Sequence, residues 1–266
     1  MILAVDVGNS HTVLGGIENG EIRNVVRIRT GHSDTWAEYA IKIKQLFEIF
    51  DFDMQELEGA IVSSVVPPAT AAIIEAVRKV SGVECLAVGP GIRTGLNVRI
   101  DDPATLGADL VVGGVAAITY YGAPCIVLDL GTATTITAID SSRAFLGGAI
   151  LPGVNLSYRA LSSGTSLLPA ISITAPPKAV ATNTVDCMRS GAVFGTASMI
   201  DGMIDRMEEE LGDKCTVIAT GGIAHRIVPY CRHEVKLDED LILKGLWTIW
   251  QKNTLQDANG EARKEK

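Results

Sequence analysis

Two short stretches, "MILAVDVGNSHT" at the start and "CIVLDLGTATTITA" from residue 125, constrain this chain more than anything else in it. In each, an apolar run meets an aspartate and, two residues later, a glycine: Asp6 then Gly8, and Asp129 then Gly131. Asp129 follows Asp6 by 123 residues (129 − 6). A carboxylate at the end of a buried strand is costly unless something pairs with it. Glycine in the following turn lets backbone come close to a ligand, and the N–H groups of such a turn form a concave donor set suited to phosphate oxygens. Asn9, Ser10 and Thr12 in the first copy, and Thr132, Thr134 and Thr135 in the second, add side-chain donors. A carboxylate repels phosphate, so acid and turn together call for a bridging cation.

The surroundings of the two turns repeat as well. Residues 2–6 predict a buried strand, and 12–18 and 21–29 a hairpin about Asn19-Gly20, a strong turn signal. "DTWAEYAIKIKQLFEIF" has helical spacing with Asp34 as N-cap. "PCIVLDL", "TTITAID" and "AFLGGAIL" repeat the three strands in the second half. "VDCMRSGAVFGTASMIDGMIDRMEEELG" predicts one long helix, "CTVIATGG" a strand ending on Gly221 and Gly222, and "DEDLILKGLWTIWQK" a closing helix. A duplication on this scale predicts an α/β chain of two RNase H-like domains with a cleft between them. The expected boundaries are 1–120, 121–254 and a flexible polar tail over 255–266.

Composition narrows the partners. The 266 residues carry a net charge of −8, which disfavours nucleic acid and anionic membrane surfaces. Five cysteines with no C-x-x-C pair predict reduced thiols in a cytoplasmic protein rather than zinc ligands or a disulfide framework. The apolar stretch 110–128 is broken by Gly122-Ala123-Pro124 and reads as helix, turn and strand, and Met1 runs into the first strand without a secretory leader. The sequence contains neither G-x-x-x-x-G-K-[ST] nor G-x-S-x-G, and "GPGIRTG" is not the dinucleotide fingerprint. The four histidines have no metal-ligand spacing; His11, in the first turn, is either a phosphate contact or a bystander.

Asp109, in "TLGADLVVGG", opens an apolar helix, where the helix dipole favours negative charge and flanking apolar residues exclude water. It is the candidate base for an attacking hydroxyl, with a simple first-turn acid as the alternative. Gly191, Gly195, Ser198 and Gly202 put small residues on one helix, which allows close helix–helix contact, within the chain or between copies.

"DVGNSHT", "DLGTATT" and "TGG" resemble the phosphate-1, phosphate-2 and adenosine motifs of the acetate-kinase, sugar-kinase, Hsp70 and actin superfamily. With "GPGIRTGLNVRIDDPATLGADLVVGGVAA", the chain closely resembles type III pantothenate kinases from residue 1 to about 252. That resemblance implies ATP-dependent phosphorylation of pantothenate, the first step of coenzyme A synthesis. It implies ATP contacts from Asp6, Val7, Gly8, Asn9, Ser10, His11, Thr12, Val13, Thr132, Gly221 and Gly222. It further implies Mg²⁺ organised by Asp6 through water and a monovalent cation, K⁺ or NH₄⁺, on Asp129. Asp109 matches the family's general base, within a substrate-binding stretch Gly107, Ala108, Asp109 and Leu110. Thr184 matches a residue that reaches pantothenate from the neighbouring subunit of a homodimer. Leu110 stands where many members carry an arginine that holds pantothenate; Arg93, flanked by Gly91 and Gly95, is the expected substitute, with Arg99 as a second choice. The alternatives are a kinase for another small alcohol and a non-catalytic nucleotide-binding regulator.

Overall fold

The computed structural model describes residues 1–50 and 52–261. In chain order its strands and helices are β1 (Ile2–Val7), β2 (His11–Glu18), β3 (Glu21–Arg29), α1 (Trp36–Ile49), β4 (Gly59–Ser64), α2 (Pro67–Ser81), β5 (Cys85–Ala87), β6 (Asn97–Val98) and α3 (Ala108–Tyr120). They continue as β7 (Cys125–Leu130), β8 (Ala133–Ile139), β9 (Ala144–Pro152), α4 (Val154–Ser163), α5 (Thr184–Ser190), α6 (Thr196–Leu211), β10 (Thr216–Thr220), α7 (Ala224–Ile227), β11 (Val235–Leu237) and α8 (Leu241–Glu261).

The chain forms two compact units. The first comprises Met1–Leu96, Asp102–Thr119 and the chain from Leu241 onward; the second comprises Asn97–Asp101 and Tyr120–Asp240. The closing helix therefore belongs with the first unit, not with the second half as the expected boundary placed it. Its Leu243, Leu246 and Ile249 are buried with Ile2, Ala4 and Ile61, so apolar burial against the first sheet decides its place. Residues 255–261 continue α8 instead of starting a tail, and 262–266 lie outside the described residues.

The first unit is a three-layer sandwich around a sheet ordered β3-β2-β1-β4-β5. β1, β2 and β3 form an antiparallel meander, while β1, β4 and β5 run parallel. The β2–β3 hairpin turns on Asn19 and Gly20 with φ of 52° and 88°, both left-handed, as a two-residue turn of the primed type requires. Side-chain alternation splits β1 cleanly. Leu3, Val5 and Val7 bury against α1 and α2; Ile2 and Ala4 bury against α3 and α8. α1 is capped by Thr35, not Asp34. The Thr35 hydroxyl accepts from the Glu38 N–H, and the Glu38 carboxylate accepts from the Thr35 N–H at 2.7 Å, a full capping box. Asp34 instead pairs with Lys42.

The second unit repeats the plan. Its sheet is ordered β11-β10-β7-β8-β9-β6, with β7–β8–β9 antiparallel and β7–β10–β11 parallel; β6 is an added edge strand, parallel to β9. Ile126, Leu128 and Leu130 bury against a core built from α4, α6 and α7. The expected long helix is continuous but carries a π-helical turn at Gly191–Gly195, between α5 and α6. A side chain at Gly191 would collide with the Tyr158 hydroxyl, 2.6 Å from its ideal Cβ.

Candidate active site

The two acids occupy equivalent points. Asp6 is fifth of six residues in β1 and Asp129 fifth of six in β7, with the same burial pattern along both strands and each acid half-buried. On the antiparallel side Asp6 pairs with Val13 and Asp129 with Thr135; on the parallel side they pair with Ser63 and Thr220. The turns differ by one residue. Val7 pairs with Thr12 around four intervening residues, whereas Leu130 pairs with Thr134 around three.

Each turn is closed by its glycine. The Gly8 N–H donates to the His11 carbonyl at 3.0 Å, and the Gly131 N–H donates to the Ala133 carbonyl at 3.0 Å. Those N–H groups are thereby spent on turn geometry; the apex residues are Asn9 and Ser10 in the first turn and Thr132 in the second. Thr30, which sequence reasoning missed, staples the first turn from behind. Its hydroxyl donates to the Gly8 carbonyl at 2.7 Å, and its N–H donates to the Ser10 carbonyl at 3.1 Å. With the Thr30 hydrogen so committed, Thr12 is the donor in the 3.0 Å contact between their hydroxyls. The His32 Nε2–H donates to the Asn9 carbonyl at 2.8 Å.

Several expected contacts are corrected by this geometry. Thr12 is 1% exposed and shares the face of Val7, away from Asp6, so its hydroxyl supports the turn instead of facing a phosphate. Thr134 is its counterpart, 1% exposed on the Leu130 face, while Thr135 lies on the Asp129 face. Val7 is fully buried and Val13 packs against the α3–α8 core, so both side chains are taken up by packing. His11 is exposed, and its pKa is lowered by partial burial and by the neighbouring Arg27 and Arg29. Those two arginines, also missed, sit opposite Val13 and His11 on β3 and bring positive charge to the first turn. The alternation in "VVRIRT" was the available signal.

Asp109 lies in the first turn of α3, half-buried. Val112 and Val115 of the same helix pack against Ile2, Ala4 and Ile61, the sheet face that Asp6 shares. The ideal Cβ of Gly107 would lie 3.7 Å from Val65, just past the end of β4, so α3 begins at the strand ends where Asp6 stands. Asp6 and Asp109 thus occupy one face and one end of one sheet. Burial raises the Asp109 pKa above the usual carboxylate range, and the Leu110 N–H, donating to Oδ1 at 2.8 Å, pulls the other way. A partly dry carboxylate that holds protons more tightly than an ordinary aspartate suits a base for an alcohol. A side chain at Gly107 would meet Asp109 Oδ1 at 2.5 Å, so the glycine leaves that oxygen its place.

Of the other expected substrate residues, Ala108 and Leu110 flank Asp109 half-buried, and Leu110 offers no charge. Arg93 is exposed on a loop clamped to α8: its N–H donates to Asn253 Oδ1 at 3.1 Å, and Asn253 Nδ2 donates back to its carbonyl at 3.1 Å. Thr184 is exposed at the start of α5, behind the Asn183 cap. Arg99 donates its N–H to Phe145 in the second unit.

The donor sets fit the cations that the resemblance implies. Among the described residues no group of three or more His, Cys, Asp or Glu side chains could hold a metal. A single carboxylate at Asp6 suits Mg²⁺, which keeps several waters and takes its other ligands from substrate phosphates. Ser63, opposite Asp6, supplies a buried hydroxyl without a hydrogen-bond partner among the described residues. Asp129 sits in a glycine cradle: an ideal Cβ would fall 2.6 Å from its Oδ1 at Gly221 and 3.2 Å at Gly131. Gly153, also unanticipated, docks on the second turn, its N–H donating to the Thr132 carbonyl at 3.1 Å. An open cavity of about 260 Å³, lined by Thr134, Leu151 and Tyr158, lies on the other side of that sheet from Asp129.

Two sheets of repeated strand order, each carrying an acid and a tight turn at the same point of its first strand, define the actin-like ATPase fold. Solved structures agree. An activator of 2-hydroxyisocaproyl-CoA dehydratase from Clostridium difficile, with ADPNP bound, matches with a TM-score of 0.55 at 10% identity, over 98% of this chain and 97% of that one. A Baf family protein from Campylobacter jejuni, reported as a transcriptional activator, matches with a TM-score of 0.56 at 22% identity, over 94% and 98%. The family model for type III pantothenate kinase matches residues 2–206. A type III pantothenate kinase from Moorella thermoacetica is 39% identical over 254 residues, covering 96% of this chain and all of that one. The chain belongs to the type III pantothenate kinase family.

Proposed function

We propose that this chain transfers the γ-phosphoryl group of ATP to the primary hydroxyl of pantothenate, giving 4′-phosphopantothenate and ADP, the first step of coenzyme A biosynthesis. The observation that carries the reading is the placement of Asp109 on the sheet face and strand end of Asp6, in a chain of this family. The substrate oxygen forms the new bond to phosphorus as the bond to the ADP oxygen breaks, and its proton passes to Asp109. The apex of the first turn, with Arg27 and Arg29 nearby, holds phosphate oxygens in line. Mg²⁺ on Asp6 through water, when bound, offsets charge on the transferring group. Asp129 holds K⁺ or NH₄⁺ in the glycine cradle, with Thr132, Gly221 and Gly222 beside the nucleotide.

Arg93 takes the carboxylate end of pantothenate in place of the charge absent at Leu110. Arg93→Ala is expected to raise KM for pantothenate at least tenfold with little change in kcat; an unaltered KM removes that role. Turnover in potassium is expected to exceed turnover in sodium at equal ionic strength. Equal rates would count against Asp129 as a selective cation site.

The enzyme works as a homodimer, with Thr184 reaching the partner's pantothenate. Ile150, Leu167 and Val180 of the second unit are 76%, 89% and 81% exposed, apolar side chains that a second copy would cover. We place it in the cytoplasm, in keeping with five free thiols. No helix among the described residues is long and apolar enough to cross a membrane. ADP release measured against a panel of small alcohols tests the substrate assignment: pantothenate alone should support it, and equal release with a sugar or glycerol would redirect it.

A further inference from the structure

We infer that Ser63 is a positioning residue for the metal–nucleotide centre at Asp6, where its hydroxyl holds a water or phosphate oxygen next to the carboxylate. The inference rests on the kinase reading above and extends it to a residue that no motif marks.

Ser63 is the Cα partner of Asp6 across the parallel β1–β4 ladder, and directly paired residues of neighbouring strands share a face. That face is the one covered by α3, whose first turn carries Asp109. The rest of β4 is "GAIV", packed on both sides, until Ser63 and Ser64 end it. Ser64 is fully engaged: its hydroxyl accepts from the Val66 N–H at 3.0 Å and from the Thr70 hydroxyl at 2.6 Å. Ser63 is 0% exposed, and its Oγ has no hydrogen-bond partner among the described residues.

Burying a hydroxyl without a partner costs free energy, and an alanine would avoid that cost. The second half also sets a hydroxyl, Thr220, opposite its acid. A hydroxyl beside each strand-end carboxylate is therefore part of the duplicated plan, and at Ser63 no other described residue uses it. The fitting occupant is an oxygen of the bound centre, because Asp6, the strand partner of Ser63, is the neighbouring group built to receive one.

Ser63→Ala, smaller by one oxygen, and Ser63→Cys, slightly larger with only a weak donor, bracket the size and remove the strong hydrogen bond, which separates this role from a packing role. The first readout needs no turnover: Mn²⁺ binding in the presence of a non-hydrolysable ATP analogue, followed by electron paramagnetic resonance. Both variants are expected to bind Mn²⁺ roughly ten- to hundredfold more weakly than wild type, as loss of an outer-shell partner does elsewhere. The second readout is the melting temperature of the ligand-free protein, which should stay level or rise. Wild-type Mn²⁺ affinity in both variants would overturn the inference, and so would a fall in ligand-free melting temperature, which would assign the hydroxyl to the fold. The wild-type arm keeps the two readings apart. If wild type phosphorylates pantothenate and the variants bind metal normally, Ser63 alone is wrong. If wild type shows neither metal-dependent nucleotide binding nor pantothenate turnover, the kinase reading fails and this inference with it.

Discussion

Asp109→Asn is expected to lower kcat by roughly 10²–10⁴-fold, the range a positioned base contributes, while leaving the affinity for ATP within about twofold of wild type. The same substitution should raise the melting temperature. Burial pushes the Asp109 pKa up, so the folded state favours the protonated carboxyl. Its contribution to stability is full below the ordinary carboxylate pKa and is lost as pH rises through the raised value. At neutral pH the carboxylate is a burden on the fold, and the neutral amide relieves it. The acidic limb of the wild-type pH–rate profile should accordingly lie above an ordinary aspartate's pKa and vanish in the variant. Opposite signs for activity and stability are what a functional buried acid produces. A first-turn acid that merely complements the helix dipole would lose stability on substitution and keep its rate. Single-turnover kinetics, nucleotide titration and thermal melts on one preparation decide between them.

Gly221→Ala should be the most damaging small substitution outside the acids. Gly221 has φ of 99°, a region that L side chains rarely adopt. The added methyl would lie 2.6 Å from the backbone of Leu130 and 2.6 Å from Asp129 Oδ1. Backbone strain and a collision that no flexible side chain can relieve together cost about 3 kcal/mol, or roughly 6–12 °C in melting temperature. Any preference for potassium should disappear in the same variant, because the carboxylate that holds the cation is displaced. Gly89→Ala, where an ideal Cβ meets nothing within 4 Å, is the matched control and should melt close to wild type. A Gly221→Ala protein that did the same would show that the second turn is not built around that glycine.

The equivalent strand-end positions of Asp6 and Asp129 were readable because the pattern is local: an apolar strand, an acid, a glycine and polar residues within a dozen positions. The Asn19-Gly20 hairpin was readable for the same reason. What the sequence withheld depends on pairings across long separations. Thr30 stands 22 residues from the Gly8 carbonyl it holds, and Ser63 stands opposite Asp6 only because β4 inserts in parallel beside β1. Thr12 and Thr134 looked like donors because a list of polar residues says nothing about strand face. Once β2 and β8 pair in register, alternation turns both hydroxyls inward. Thr35 displaced Asp34 as the cap of α1 through the reciprocal contact with Glu38, and Lys42, about two turns into the helix, took Asp34. α8 joins the first unit for a similar reason: its apolar stripe fits the α3 face of the first sheet, a match that chain order hides.

The most direct measurement is product analysis by ³¹P NMR and mass spectrometry after mixing the purified full chain with ATP, magnesium, potassium and pantothenate. The account predicts one new phosphomonoester, 4′-phosphopantothenate, formed in step with ADP and formed roughly 10²–10⁴-fold more slowly by the Asp109→Asn protein. ADP and inorganic phosphate without that ester, or the ester formed equally well by the variant, would contradict it.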